Sequence, residues 1–228
     1  MNNILFISLA TFIFFSCSKE EKRLEPISTP LTGVELAISN GVSMESILAD
    51  YPVTDLYGKN YQGGLIFYVD SVNATGLVAM YDLNNDDDTT YWWGYNYGYP
   101  INGLDNSIMS GQNNTNLIVY PQGVGDYAAY YCDTLNHKGY SDWFMPSLGE
   151  LAEMQRKIGN LSIANFHLDA YMSSTQDSLL INTSPVQYEY KEIGVHFGTG
   201  DAITIAQHNY QNFLFQMKGF VRPVRQFN

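Results

Sequence analysis

Gly139-Tyr140-Ser141-Asp142-Trp143-Phe144-Met145-Pro146-Ser147-Leu148-Gly149-Glu150-Leu151 is the stretch on which the reading of this chain turns. Ser147 and Glu150 form an S-x-x-E capping box, in which each side chain takes a backbone N–H that the first helical turn leaves without a partner. Leu148, Leu151, Ala152, Met154 and Ile158 then recur at helical spacing, and Gly159 marks the stop. The segment therefore predicts an amphipathic helix from Ser147 onward. Trp143 and Phe144 just before it are expected to bury beneath that helix, each ring covering roughly 150–250 Å². Arg222 is expected to pair with Asp142 or Glu150, which would give a charge a reason to lie inside.

Outward from this stretch, Asp126 can cap a second helix in which Ala128, Ala129, Cys132 and Leu135 share a face, with Gly139 past its end. Nearer the start, Ser43 caps a short helix carrying Met44, Ile47 and Leu48, and Pro52 lies beyond it. Gly63-Gly64 introduces a strand, Leu65 to Val69, and Gly76 to Met80 reads as its antiparallel return. Further strands are expected at Tyr171 to Thr175, Tyr188 to Phe197, Ala202 to Ala206 and Phe213 to Arg225. Two main helices between groups of strands, with small antiparallel sheets and long Asn- and Gly-rich loops, predict an α+β fold. No internal repeat is present.

The Gly139–Leu151 stretch resembles the Lcl C-terminal domain family, named after the terminal domain of a bacterial collagen-like adhesin. Further matching pieces follow in order: Gly63-Gly64, Gly76-Leu77-Val78, Trp93-Gly94, Asn114-Thr115, Ala128-Ala129 with Cys132, Ser173-Ser174-Thr175 and Val221-Arg222-Pro223-Val224-Arg225. The resemblance spans roughly residue 57 to the end and implies a C-type-lectin-like fold. Trp93, Asp142, Trp143, Ser147, Glu150 and Arg222 are then expected to be core motif residues. The Glu-Pro-Asn and Trp-Asn-Asp motifs of calcium-dependent sugar binding are missing, and Met172 stands where the family often has Trp. The related formylglycine-generating enzymes would need a pair of thiols at copper, whereas Cys132 is the one thiol in the domain.

The N-terminus carries a different message. An apolar run from Ile4 to Phe15 is too short to cross a bilayer, which takes about 20 residues, but it fits a secretory signal. Phe14-Phe15-Ser16-Cys17 resembles the lipobox of bacterial lipoproteins, so Cys17 is the expected lipidation site. An ordinary cleaved signal with a coincidental cysteine is the alternative. The expected organisation is a signal peptide over 1–16, the acylated Cys17 and a flexible tether over 17–32, a short helical segment over 33–56 and the main domain over 57–228. Ser18-Lys19-Glu20-Glu21 looks like an acidic export tag, which points to the outer membrane or the cell surface. The tether could reach at most ~50 Å.

The formal net charge is −12, from 23 acids against 11 Lys and Arg. The signal holds none of it, and the tail to Pro26 is balanced, so the deficit belongs to the folded part after the tether, residues 33–228. Such a domain repels phosphates and sulfates, and nucleic acid is excluded as a partner. The adhesin that names the family is associated with sulfated polysaccharides, and this charge argues for a neutral glycan instead.

Tyr91, Trp93, Tyr95, Tyr97 and Tyr99 recur at every second position. In an extended chain they share one face, where the tyrosines could stack on sugar C–H faces; the alternative is that the run is core. Asn84 to Asp88 groups oxygen ligands, so Asp86 and Asp88 are candidate calcium ligands. As an EF-hand the loop fails at Thr89 and Tyr95, and a solvated acidic turn competes. His137, His167, His196 and His208 lack metal-ligand spacing, and neither H-E-x-x-H, G-x-S-x-G nor a Walker motif occurs. The expectation is a non-enzymatic, cofactor-free ligand-binding lipoprotein serving adhesion or glycan capture. The alternative is a structural or protein-interaction subunit of a cell-envelope assembly.

Overall fold

In the computed structural model, Ser147 starts α5 (Leu148–Ile158) with the capping box intact. Its hydroxyl accepts from Glu150 N at 3.2 Å, and the Glu150 carboxylate accepts from Ser147 N at 2.8 Å. Leu151, Met154 and Ile158 are fully buried on one helical face. The structure describes residues 31, 33–81, 89–94, 101–183, 186–209, 213–216 and 218–228. Cys17 and its tether apart from residue 31, Asp86, Asp88, Tyr95, Tyr97 and Tyr99 lie outside them.

The chain is α+β, with two sheets that meet on α5. Before the first sheet come α1 (Val34–Ser39) and α2 (Met44–Asp50), the latter capped by Ser43, which accepts from Ser46 N. The first sheet runs in the order β1 (Asn60–Tyr61), β2 (Gly64–Asp70), β3 (Thr75–Met80), β10 (Val224–Phe227), all antiparallel. The β2–β3 turn is secured by Asp70, whose carboxylate accepts from Val72 N and Asn73 N and bonds the Asn73 amide. The second sheet runs β4 (Thr89–Tyr91), β9 (Gly219–Val221), β5 (Ala170–Thr183), β6 (Val186–His196), β7 (Ala202–Asn209), β8 (Phe213–Gln216). Its pairings are antiparallel except for β5 with β9.

Alternation along these strands divides the core. Leu65, Phe67, Leu77 and Ala79 face α5 from the first sheet, and Tyr171, Val195 and Phe197 face it from the second. On the other face of the first sheet, Ile66, Val78 and Met80 meet Val34, Met44 and Ile47 of α1 and α2. On the other face of the second, Ala170, Met172 and Val221 meet α3 (Gly111–Gln122) and α4 (Ala128–Thr134) through Ile118, Ala128, Ala129 and Cys132.

Several expectations are corrected here. The longest helix among the described residues is α3, in an Asn-rich stretch that reads as loop. Asn and Gly are weak helix formers and Pro121 sits inside its last turn, so tertiary contacts hold it. Asp126 does not cap α4. Tyr127 occupies that position in extended conformation without a side-chain cap, and Trp92 O takes the Ala128 N–H at 2.9 Å.

The strand expected over Phe213–Arg225 is three strands in two sheets. Pro223 has no N–H to donate to a ladder, and the chain crosses from β9 to β10 at that point. Trp143 does not lie under α5. Phase alternates at the Phe144–Val224 bridge, so Phe144 faces α5 while Trp143 packs with α1 and α2 across the first sheet.

Asp142 pairs with Arg225 at 2.5 Å, not with Arg222. The fully buried Arg222 instead donates to the carbonyls of Met80, Ala164 and Asn165.

Candidate functional site

A knot of buried polar side chains holds together the loop 101–110, α3, α5 and β5. Asn114, Thr115, Ser147, Glu150, Ser173 and Ser174 are all fully buried, which is tolerable only because each finds hydrogen-bond partners. Asn114 accepts from Asp105 N at 2.9 Å and donates to Asp105 O at 2.6 Å and Ser174 Oγ at 3.2 Å. Thr115 Oγ1 donates to Gly111 O and accepts from Met145 N. Ser174 donates twice to Pro146 O, from its N–H and its hydroxyl. Ser147 Oγ donates to Ser107 O, and Gly149 N to Asn106 O.

Gly111 shows how tight the knot is. Its N–H donates to Glu150 Oε1, and a Cβ on it would run into Glu150 Oε2, the Met145 carbonyl and the Phe144 ring. Helix propensity favours Ala over Gly by about 1 kcal/mol. Here overpacking is expected to reverse that sign, so Gly111→Ala should lose about 1–3 kcal/mol in chemical denaturation.

Over this knot lies an open cleft of about 370 Å³. Leu104, Leu148 and Ile193 supply its apolar lining, and Asp105, Asn106, Thr175, Gln176 and Asp177 its polar lining. None of these residues is Lys or Arg. Gln176 is locked at both ends of its amide: Oε1 accepts from Ile101 N at 3.0 Å and Nε2 donates to Glu192 Oε1 at 2.9 Å. Thr175 Oγ1 accepts from Leu148 N at 3.0 Å. Hydrogen bonds from the Ser107 hydroxyl and N–H hold the Asp105 carboxyl below the usual range. Asp177 Oδ1 accepts from Ser178 N. The other Asp177 oxygen and the Asn106 amide carry no hydrogen bond to another described residue.

A second cleft of about 370 Å³ lies at the N-terminal helices, between Tyr51 and Tyr57, with Thr54, Asp55 and Lys59 on its border. The cation on that border, Lys59, is already engaged. Lys59 pairs with Glu35 at 2.6 Å, and Lys157 lies 4.2 Å over the Tyr57 ring.

The residues expected to bind ligand are placed as follows. Tyr91 ends β4, half-buried, with one ring face stacked on Tyr131 at 4.6 Å; burial pushes its phenol pKa up. Trp93 is buried and donates from Nε1 to Ser173 O at 2.7 Å, which ties it to the knot. Tyr95, Tyr97, Tyr99, Asp86 and Asp88 fall outside the described residues. Burial raises the pKa of the Cys132 thiol well above its ordinary value and keeps it protonated. No group of three or more His, Cys, Asp or Glu able to hold a metal occurs among the described residues. Nor is any described helix long and apolar enough to cross a membrane.

Sequence reasoning missed the cleft residues Asp105, Asn106, Gln176 and Asp177. The one local signal was that Gln176-Asp177 directly follows the quoted Ser173-Ser174-Thr175. Compared with family models, curated proteins and solved structures, the chain finds no match in any of the three.

Proposed function

We propose that this is a lipid-anchored envelope protein, acylated at Cys17, whose C-type-lectin-like domain binds an extracellular neutral glycan without catalysing a reaction. The observation that carries the reading is the cleft over the buried knot. Its volume is at the lower end of small-ligand sites, and it sets a few fixed polar groups among apolar walls. A wall without Lys or Arg, in a chain of net charge −12, suits uncharged hydroxyls and disfavours sulfated or uronic chains. Tyr95, Tyr97 and Tyr99 are proposed to add stacking surface for the same glycan. They precede Ile101, the residue whose N–H is bonded to Gln176 in the cleft wall. The α+β arrangement with long connecting loops is what a lectin-like module requires.

The test is a glycan array probed with residues 33–228, with and without calcium. Uncharged oligosaccharides should be retained and sulfated ones rejected. If no glycan is retained, while crosslinking in the envelope captures a stoichiometric protein partner, the module recognises protein and the glycan reading fails.

A further inference from the structure

We propose that the cleft holds one sugar ring of that neutral glycan directly, with Asn106 and Asp177 on its hydroxyls and Leu104 and Leu148 against its C–H face, and with no cation between. This inference rests on the glycan-binding reading of the same cleft. It follows from an account of which polar valences are already used. A calcium site takes 6–8 oxygens at about 2.3–2.6 Å, most of them free to turn toward the ion. Here the Asp105 carboxylate is bound by Ser107, through both its N–H and its hydroxyl. Asp177 has one oxygen on Ser178 N. The Gln176 carbonyl is taken by Ile101 N, and the Thr175 hydroxyl by Leu148 N.

What the wall still offers is one carboxylate oxygen of Asp177 and the whole amide of Asn106, both on exposed residues. A carboxylate oxygen only accepts, while an amide both donates and accepts. Together they match a pair of hydroxyls, each of which can do either. Leu148 is fixed by the capped start of α5 and by its own N–H on Thr175, so the apolar support does not have to be ordered on binding. Asp105 shapes the loop and is not a ligand.

Affinity electrophoresis of the full-length protein in detergent tests this, using gels cast with dextran, mannan or laminarin as neutral probes and heparin as the sulfated one. Retardation by at least one neutral probe, unchanged by EDTA, is expected. Asn106→Ala and Asp177→Ala should each weaken it roughly tenfold or more, as loss of a hydrogen bond to a charged or fixed group does. Tyr51→Ala, in the other cleft, should leave it unchanged. Both cleft residues are exposed, so their variants are expected to melt like the parent.

If EDTA abolishes the retardation, or the two cleft variants leave it intact, or Tyr51→Ala removes it, this inference is overturned and the glycan-binding reading survives. If no neutral probe retards the parent protein, both are overturned.

Discussion

Arg222→Met is expected to cost about 3–5 kcal/mol, enough to unfold a large part of the population of a typical domain. Arg222 is fully buried where the chain crosses from one sheet to the other. Its Nη1 donates to Met80 O at 3.0 Å and to Ala164 O at 3.1 Å, and its Nη2 reaches Asn165 O at 3.5 Å. The guanidinium also lies 4.3 Å over the Phe166 ring. One side chain thus ties the end of β3 to the turn that follows α5. Methionine fills similar volume but leaves those carbonyls without their donor, at about 1–3 kcal/mol for each buried group left unsatisfied. Lysine keeps the charge without the planar fork and should recover only part of the loss. Urea unfolding midpoints for the two variants check this. A methionine variant within about 1 kcal/mol of the parent would mean that the three carbonyls find other donors.

The same residue shows what the sequence could and could not reveal. Two arginines three positions apart, Arg222 and Arg225, are equally plausible partners for Asp142 in the sequence. The choice depends on where the chain changes sheets. Arg222 sits in the crossing and turns into the core, whereas Arg225 on β10 reaches Asp142 and Gln62 and rides over Tyr140 at 3.8 Å. Local signals were legible: the Ser147–Glu150 capping box, the Ser43 cap and the β2–β3 pair are written in neighbouring residues. Signals with no local trace were not. α3 depends on Asn114, Thr115 and Ile118 finding partners 30 to 60 positions away, which no periodicity records. The quoted pieces Asn114-Thr115, Ser147–Glu150 and Ser173–Thr175 meet in one knot, so their common role is to brace the floor of the cleft. The cleft residues themselves look like ordinary loop polarity, because a binding wall differs from a solvated turn only in what stands opposite it.

Glu150 is the part of that knot whose behaviour should depend most on pH. It is fully buried and serves two helices at once, accepting from Ser147 N at the start of α5 and from Gly111 N at the start of α3. Both helix N-termini favour its negative charge, but burial outweighs them and pushes its pKa up from 4.5 to about 6. Because the folded protein holds this proton more tightly than the unfolded chain, the group's contribution is fully present below pH 4.5 and is lost as pH rises through about 6. A gap of about one and a half pH units corresponds to about 2 kcal/mol. Self-repulsion among the other acids also relaxes on acidification, so the decisive quantity is the difference from a variant that cannot titrate. Glu150→Gln mimics the protonated side chain, and its stability relative to the parent should rise by about 2 kcal/mol between pH 4 and 7.5. Glu150→Ala leaves the Ser147 and Gly111 N–H groups without their acceptor, at about 1–3 kcal/mol each, and should be the less stable of the two variants throughout. Denaturation curves at half-unit pH steps read both effects. Parallel curves for the parent and the glutamine variant would show that Glu150 stays charged in the fold, with its two backbone donors outweighing its burial.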